Sequence, residues 1–158
     1  MDTYNAVGWR GRFWQTPPTE QLGSVPMRTP NHALDSVPMR FYQYDWDSDN
    51  FFYEIEYLDG ANFAEELAHF AQEFWGRQVQ NAWFEGRIMY VDVSISDQLH
   101  MLTGSVGELI MLRAFEKSLA SVPEIDAFVI LVHGTRWNWQ SGHGFNFRDV
   151  YLVADFVE

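Results

Sequence analysis

Two hydrophobic periods alternate along the chain from Met39 onward. Residues 40–44 and 51–58 are rich in aromatic and branched side chains and flank the acidic run Asp45-Trp46-Asp47-Ser48-Asp49-Asn50, a pattern that predicts a β-hairpin. The period then changes. Phe63, Leu67, Phe70 and Phe74 fall on one face of a 3.6-residue helix, with Asn62 and Glu65 as an N-cap pair and Gly76 as the stop. Residues 79–84 and 87–94 predict a second hairpin turning at Glu85-Gly86, where glycine supplies the positive φ of a tight turn. In its second strand Met89, Val91 and Val93 alternate with Tyr90, Asp92 and Ser94, so one face is apolar.

A second helix is expected from a capping box at Ser105-Val-Gly-Glu108 to about Ser121, with Leu109, Leu112, Phe115 and Leu119 on one stripe and Pro123 beyond its end. Residues 127–133 form a continuous apolar run of strand length, and residues 150–156 predict one more strand. The order β, β, α, β, β, α, β, β implies an α+β fold: a small mixed or antiparallel sheet with two helices packed on one face.

The segment before this pattern is different. Residues 1–38 hold five of the six prolines (Pro17, Pro18, Pro26, Pro30 and Pro38) and show no regular period, which predicts an extended arm ahead of a domain at 39–158. The pentapeptide Ser-Val-Pro-Met-Arg occurs at Ser24–Arg28 and again at Ser36–Arg40. That offset is too short for a solenoid repeat and reads as coincidence or a local duplication, with a repeated partner-binding peptide as the alternative.

Charge narrows the partners. A formal net charge of −12, with Lys117 the single lysine, disfavours phosphate backbones and anionic lipid, so no nucleic-acid partner is expected. The absence of cysteine removes disulfides, thiolate metal sites and a Cys nucleophile together. No apolar run reaches the length of a membrane span, and the start lacks the form of a signal peptide. Any membrane association is therefore expected through an anchor trimmed from this sequence.

Chemistry-bearing constellations are sparse. The chain has no Gly-x-Ser-x-Gly, phosphate loop or His-Glu-x-x-His, so no catalytic residue, enzymatic activity or cofactor is expected. His133 and His143 flank an aromatic, Gly-rich loop but lack an evident third zinc ligand, and read as structural or surface histidines. Asp45, Asp47, Asp49 and Glu56 reproduce the oxygen-ligand spacing of a calcium loop, although Asn50 stands where that loop has glycine and the flanks read as strands. A plain hairpin turn is the stronger expectation. Aromatic rings are abundant, at 17% of residues. The expected partner surface is therefore Trp137, Trp139, Phe145 and Phe147, joined by Trp9 and Trp14 of the arm, because exposed rings stack on sugars or fill protein pockets.

Several of these segments, taken in order, resemble the GerMN domain, a sporulation and spore-germination module. The resemblance rests on Met89-Tyr-Val-Asp-Val-Ser94, Gly104-Ser-Val-Gly-Glu-Leu109, Ser118-Leu-Ala-Ser-Val-Pro-Glu-Ile125 and Val129-Ile-Leu-Val-His-Gly134, with Phe41-Tyr-Gln-Tyr-Asp-Trp-Asp47 as the opening strand and turn. It spans residues 39–147. It implies a ring-building-motif-like domain, lipoprotein-like or otherwise anchored outside the cytoplasmic membrane, with no catalytic residues to transfer. The expected role is thus a non-catalytic extracytoplasmic scaffold that binds a protein partner or itself, in sporulation, germination or envelope assembly. The alternative is a cell-wall glycan-binding module using the Trp-rich loop.

The helical stripe yields a direct test. Leu112→Ala is expected to destabilise the fold by about 2–5 kcal/mol in urea unfolding, and a loss below about 0.5 kcal/mol would mean that this face is misassigned.

Overall fold

The computed structural model describes residues 31–94, 97–134 and 147–157. The fold is α+β, as expected, but its strands divide between two sheets. Strands β1 (Ser36–Asp45) and β2 (Asn50–Asp59) form an antiparallel hairpin by themselves. Helix α1 (Phe63–Trp75) follows, then the antiparallel pair β3 (Gln78–Glu85) and β4 (Ile88–Ser94). Helix α2 (Asp97–Ala120) crosses over to β5 (Ala127–Val132), which lies parallel to β4, and the short β6 (Tyr151–Leu152) closes the order β3-β4-β5-β6.

One apolar core joins all these elements. Met89, Val91 and Val93 of β4 and Phe128, Ile130 and Val132 of β5 present one sheet face to Phe63, Leu67, Ala71 and Trp75 of α1 and to Ala114, Phe115 and Leu119 of α2. Val37, Met39 and Phe41 of β1 complete it. Strand β5 is buried along its whole length because its other face, with Val129 and Leu131, packs beside Trp83 in a second cluster. That explains why its sequence is a continuous apolar run and not an alternating one.

Helix α1 stops where the sequence says it should. Gly76 adopts φ 62°, its amide donates to Gln72, and the Arg77 amide donates to Ala71, the pattern of a left-handed helix end. Its buried stripe is rotated from the one expected: Ala71 and Trp75 are buried, whereas Phe70 and Phe74 are half-buried at its flank. The N-cap pair is corrected as well. The Asn62 side chain makes no cap bond to the helix and donates to Asp59, which itself caps the preceding 3-10 turn through the Ala61 amide.

Three further boundaries shift. Helix α2 begins at Asp97, so Ser105–Glu108 lies inside it and is not its start. A capping-box sequence is permissive of helix interior too, and the residues before it, 97–102, are mostly good helix formers. The second hairpin turns at Gly86-Arg87, with Gly86 at φ 62° and Glu85 opposite Ile88. The expected last strand is only two residues long, because Val153–Phe156 forms a 3-10 turn that returns Phe156 against Phe128 and Tyr151.

Residues ahead of Met39 pack onto the same body. His32 is buried, with Nε2 2.8 Å from the Pro123 carbonyl and Nδ1 accepting the Leu34 amide at 3.0 Å. These contacts assign the donor proton to Nε2. The His32 amide donates to Gly60, whose own amide donates to Asp35; an added Cβ at Gly60 would overlap the Leu34 carbonyl, so only glycine permits this crossing.

Among the described residues no backbone ladder links the hairpin to the larger sheet; side chains do so. The Arg40 and Tyr42 amides on the outer edge of β1 donate to the hydroxyls of Ser121 at 2.9 Å and Ser118 at 2.8 Å, while Trp75 Nε1 donates to the Tyr42 carbonyl at 2.8 Å. Pro38 shares that edge parity, so its missing N–H removes no ladder bond. Ser118 is fully buried and also donates to Ala114. Ser118→Ala is expected to strand the Tyr42 amide at a cost of about 1–3 kcal/mol. Hydrogen exchange provides the check, with protection falling at Tyr42 before it falls in β5; unchanged exchange at Tyr42 would refute this docking.

Candidate functional site

The tip of the first hairpin is a closed turn. Asp45 accepts the Asp47 amide at 3.0 Å and the Ser48 hydroxyl at 3.0 Å, Asn50 donates to the Ser48 carbonyl, and Tyr44 donates to Asp49, which stands at φ 60°. The four proposed calcium ligands are not brought together. Glu56 lies opposite Met39 in the ladder, whereas Asp45 lies opposite Asn50, so six strand positions, roughly 20 Å, separate Glu56 from the tip. Among the described residues no group of three His, Asp or Glu side chains is placed to hold a metal ion. The physical reason is register: a continuous ladder keeps Glu56 extended, while a calcium loop must fold its last ligand back.

Of the expected partner rings, Trp9, Trp14, Trp137, Trp139 and Phe145 lie outside the described residues. Phe147 is half-buried and packs on the main core. His133 is exposed at φ 52°, and His143 lies outside the described residues.

Among the described residues the exposed aromatic surface is on the hairpin. Tyr57 is 67% exposed, Ile55 49% and Tyr53 43%, and all three lie on the face of β2 turned away from the core. Their cross-strand neighbours are Pro38, Arg40 and Tyr42, and the Arg40 guanidinium sits 4.6 Å from the Tyr53 ring centre. On the opposite face Glu54 and Glu56 oppose Phe41 and Met39, with Gln43 donating to Glu54 at 3.2 Å. Around the tip, Trp46 and Phe52 are also exposed, and Tyr44 packs edge-on against Trp46 and Phe51. Behind Trp46, a groove of about 350 Å³ runs between the hairpin and both helices, lined by Tyr44, Phe74, Trp75 and Met111.

The alternation Tyr53-Glu54-Ile55-Glu56-Tyr57 was the available signal, and it points the wrong way. Read alone, it places the tyrosines and isoleucine inward. Pairing fixes the reverse, because Leu58 must share a face with Val37 for both to be buried, and parity then turns Tyr57, Ile55 and Tyr53 outward.

Buried polar groups elsewhere are engaged in holding elements together. Glu116 accepts from Tyr151 at 2.5 Å and from Arg113 at 2.8 Å, tying α2 to β6. Burial, reinforced by the Glu116 charge, raises the Tyr151 phenol far above its ordinary value. Burial also raises the Asp92 carboxyl, against the lowering effect of the Gly134 amide that donates to it at 2.8 Å. Neither group borders the hairpin surface. No helix among the described residues is long and apolar enough to cross a membrane.

No family model matches this chain, and no curated protein matches it. Among solved structures, a candidate lipoprotein from Clostridium perfringens is similar at 13% identity, with a TM-score of 0.43 and cover of 79% of this chain and 93% of that one. A likeness of that size says nothing of activity.

The turn generates a pH prediction. Donation from the Asp47 amide, then from the Ser48 hydroxyl, holds the Asp45 carboxyl below its ordinary value. A depressed folded value means that the turn is favoured above the ordinary Asp range near about 4 and loosens as pH falls through the lower folded value. The Asp47 amide resonance is expected to titrate with a midpoint below that of a free aspartate, and a midpoint at or above it would refute the closed turn.

Proposed function

We propose that this protein is a non-catalytic, GerMN-like scaffold domain acting outside the cytoplasm, and that it binds its protein partner through the outer face and open edge of β2. The observation that carries the binding reading is the Tyr53, Ile55 and Tyr57 face. Three large apolar side chains stand side by side in solvent on a strand that has no neighbour on its outer side among the described residues. Keeping such a surface in water is unfavourable, and it is the kind of surface that marks a contact with another chain. The extracytoplasmic placement and the sporulation, germination or envelope setting rest on the sequence resemblance alone.

Recognition by this surface needs no titrating group. Backbone amides and carbonyls would give affinity, while the ring face on one side and the Glu54 and Glu56 carboxylates on the other would select the incoming side chains.

The test is quantitative co-purification from native extracts with three proteins: the unaltered chain, an Ile55→Ser/Tyr57→Ser variant, and a His69→Ser control on the exposed side of α1. A partner reading expects a protein whose recovery falls at least tenfold with the hairpin variant and is unchanged with the control. If no protein depends on Ile55 and Tyr57, the reading is wrong. Quenching of Trp fluorescence by peptidoglycan fragments, equal in all three proteins, would instead favour the glycan-binding alternative.

A further inference from the structure

We propose that the open edge of β2 is the docking site of this chain's own residues 7–14, held in cis and displaced when a partner strand binds. The inference rests on the reading of this edge as a binding surface.

Parity identifies which backbone groups are open. In β1 the Arg40 and Tyr42 amides point away from β2, since they bond to α2, so Met39 and Phe41 point toward it. Their partners Glu56 and Glu54 therefore face β1, and the amides and carbonyls of Phe51, Tyr53, Ile55 and Tyr57 face outward. Asp59 has the same outward parity, and its amide is taken by Glu66 at 2.8 Å, which ends the open run. The other edges differ. That of β1 is closed by Ser118, Ser121 and Pro38, β3 carries a bulge between Val79 and Asn81, and β6 is two residues long. Strand β2 has no proline, lysine or bulge to blunt it.

The chemistry of the edge then specifies what can lie against it. One side presents Tyr53, Ile55 and Tyr57, and the other presents Glu54 and Glu56. Between Asp45 and Asp59 there are six acidic residues and no basic one. A matching segment must alternate apolar with cationic side chains. Residues 7–14 read Val-Gly-Trp-Arg-Gly-Arg-Phe-Trp: Val7, Trp9 and Phe13 share one parity, and Arg10 and Arg12 share the other. These residues lie outside the described structure, and their sequence is what bears on the match. Paired in a ladder, Arg10 and Arg12 would stand about 5 Å from the Glu54 and Glu56 positions.

Reach favours the same chain over a second copy. The His32 amide donates to the Gly60 carbonyl at 3.0 Å, so the chain enters the body immediately beyond the end of β2. Residues 15–30 can span roughly 50 Å when extended, whereas the open run from Phe51 to Tyr57 covers roughly 20 Å. A tether of that kind sets an effective concentration near millimolar, above that of other copies in dilute solution. A partner strand must therefore outcompete residues 7–14, and it is expected to carry the same alternation of apolar and basic side chains.

The test is a charge-reversal cycle read by amide hydrogen exchange on the full chain at low micromolar concentration. The expected result is that the Tyr53, Ile55 and Tyr57 amides exchange at least tenfold faster in Arg10→Glu/Arg12→Glu and in Glu54→Lys/Glu56→Lys than in the unaltered chain. Combining all four substitutions restores protection, and every variant is monomeric by light scattering. Amides in β5 serve as the folding control. Equal exchange at Tyr53, Ile55 and Tyr57 in the unaltered and Arg10→Glu/Arg12→Glu chains overturns the proposal, as does failure of the fourfold variant to regain protection. A dimer that dissociates on Arg10→Glu/Arg12→Glu substitution overturns the cis assignment. Co-purification that depends on Ile55 and Tyr57 is read separately, so loss of the docking proposal leaves the binding reading standing, and the reverse.

Discussion

A two-stranded hairpin is marginal in water, and this one gains its fixed place from three side-chain contacts along a single strand edge. Ser118 in the last turn of α2 and Ser121 just past its end present hydroxyls to alternate amides of β1, and the Trp75 indole from α1 meets the Tyr42 carbonyl beside them. The three groups satisfy backbone polarity that the hairpin would otherwise bury unpaired. They also set its direction. Because β1 faces the helices, β2 must lie outside, and the apolar rings opposite Pro38, Arg40 and Tyr42 turn to solvent.

Packing reinforces that choice. Phe41 lies within 5.5 Å of the rings of Phe70, Phe74 and Trp75, and Trp75 meets Phe115 edge-on at 5.3 Å, so β1, α1 and α2 share one aromatic cluster. A large ring buries far more area than an aliphatic side chain, which lets a short strand anchor without neighbours on both sides. Two residues before Ser118, the buried Glu116 is held by Tyr151 and Arg113 and clamps α2 onto β6. The C-terminal end of α2 is thereby fixed against both β6 and β1, and Ser118 and Ser121 are held at the spacing of the strand.

The order of elements was legible because each periodic segment is long enough to reveal its type, and Gly76 and Gly86 mark chain reversals that side chains resist. What escaped was tertiary. The start of α2 was hidden because Ser105–Glu108 looks like a cap whether or not a helix already runs through it. The buried face of α1 was misjudged because Phe70 and Phe74 outrank Ala71 in hydrophobicity, while the small Ala71 is the residue that fits beneath the packed layers. The hairpin surface was missed for a similar reason. Alternation shows that β2 has two faces, but only the pairing of Leu58 with Val37 says which one is inside. The calcium spacing failed on the same ladder that created the open edge.

An unblunted edge is ordinarily a route to indiscriminate self-pairing. Its charge pattern opposes that here. If two copies of β2 paired antiparallel about Ile55, the apolar face would match well, with Tyr53 opposite Tyr57. The other face would set Glu54 against Glu56 twice, like charges directly across a ladder. Sliding the centre to Glu54 or Glu56 sets that carboxylate against its own copy instead. The registers that bury the apolar face most fully are therefore those that the carboxylates penalise, and the net charge of −12 adds repulsion at longer range. The same two glutamates that make a second copy a poor neighbour make a strand with arginines at alternate positions a good one. Selectivity at an edge of this kind resides in the face that carries no ring.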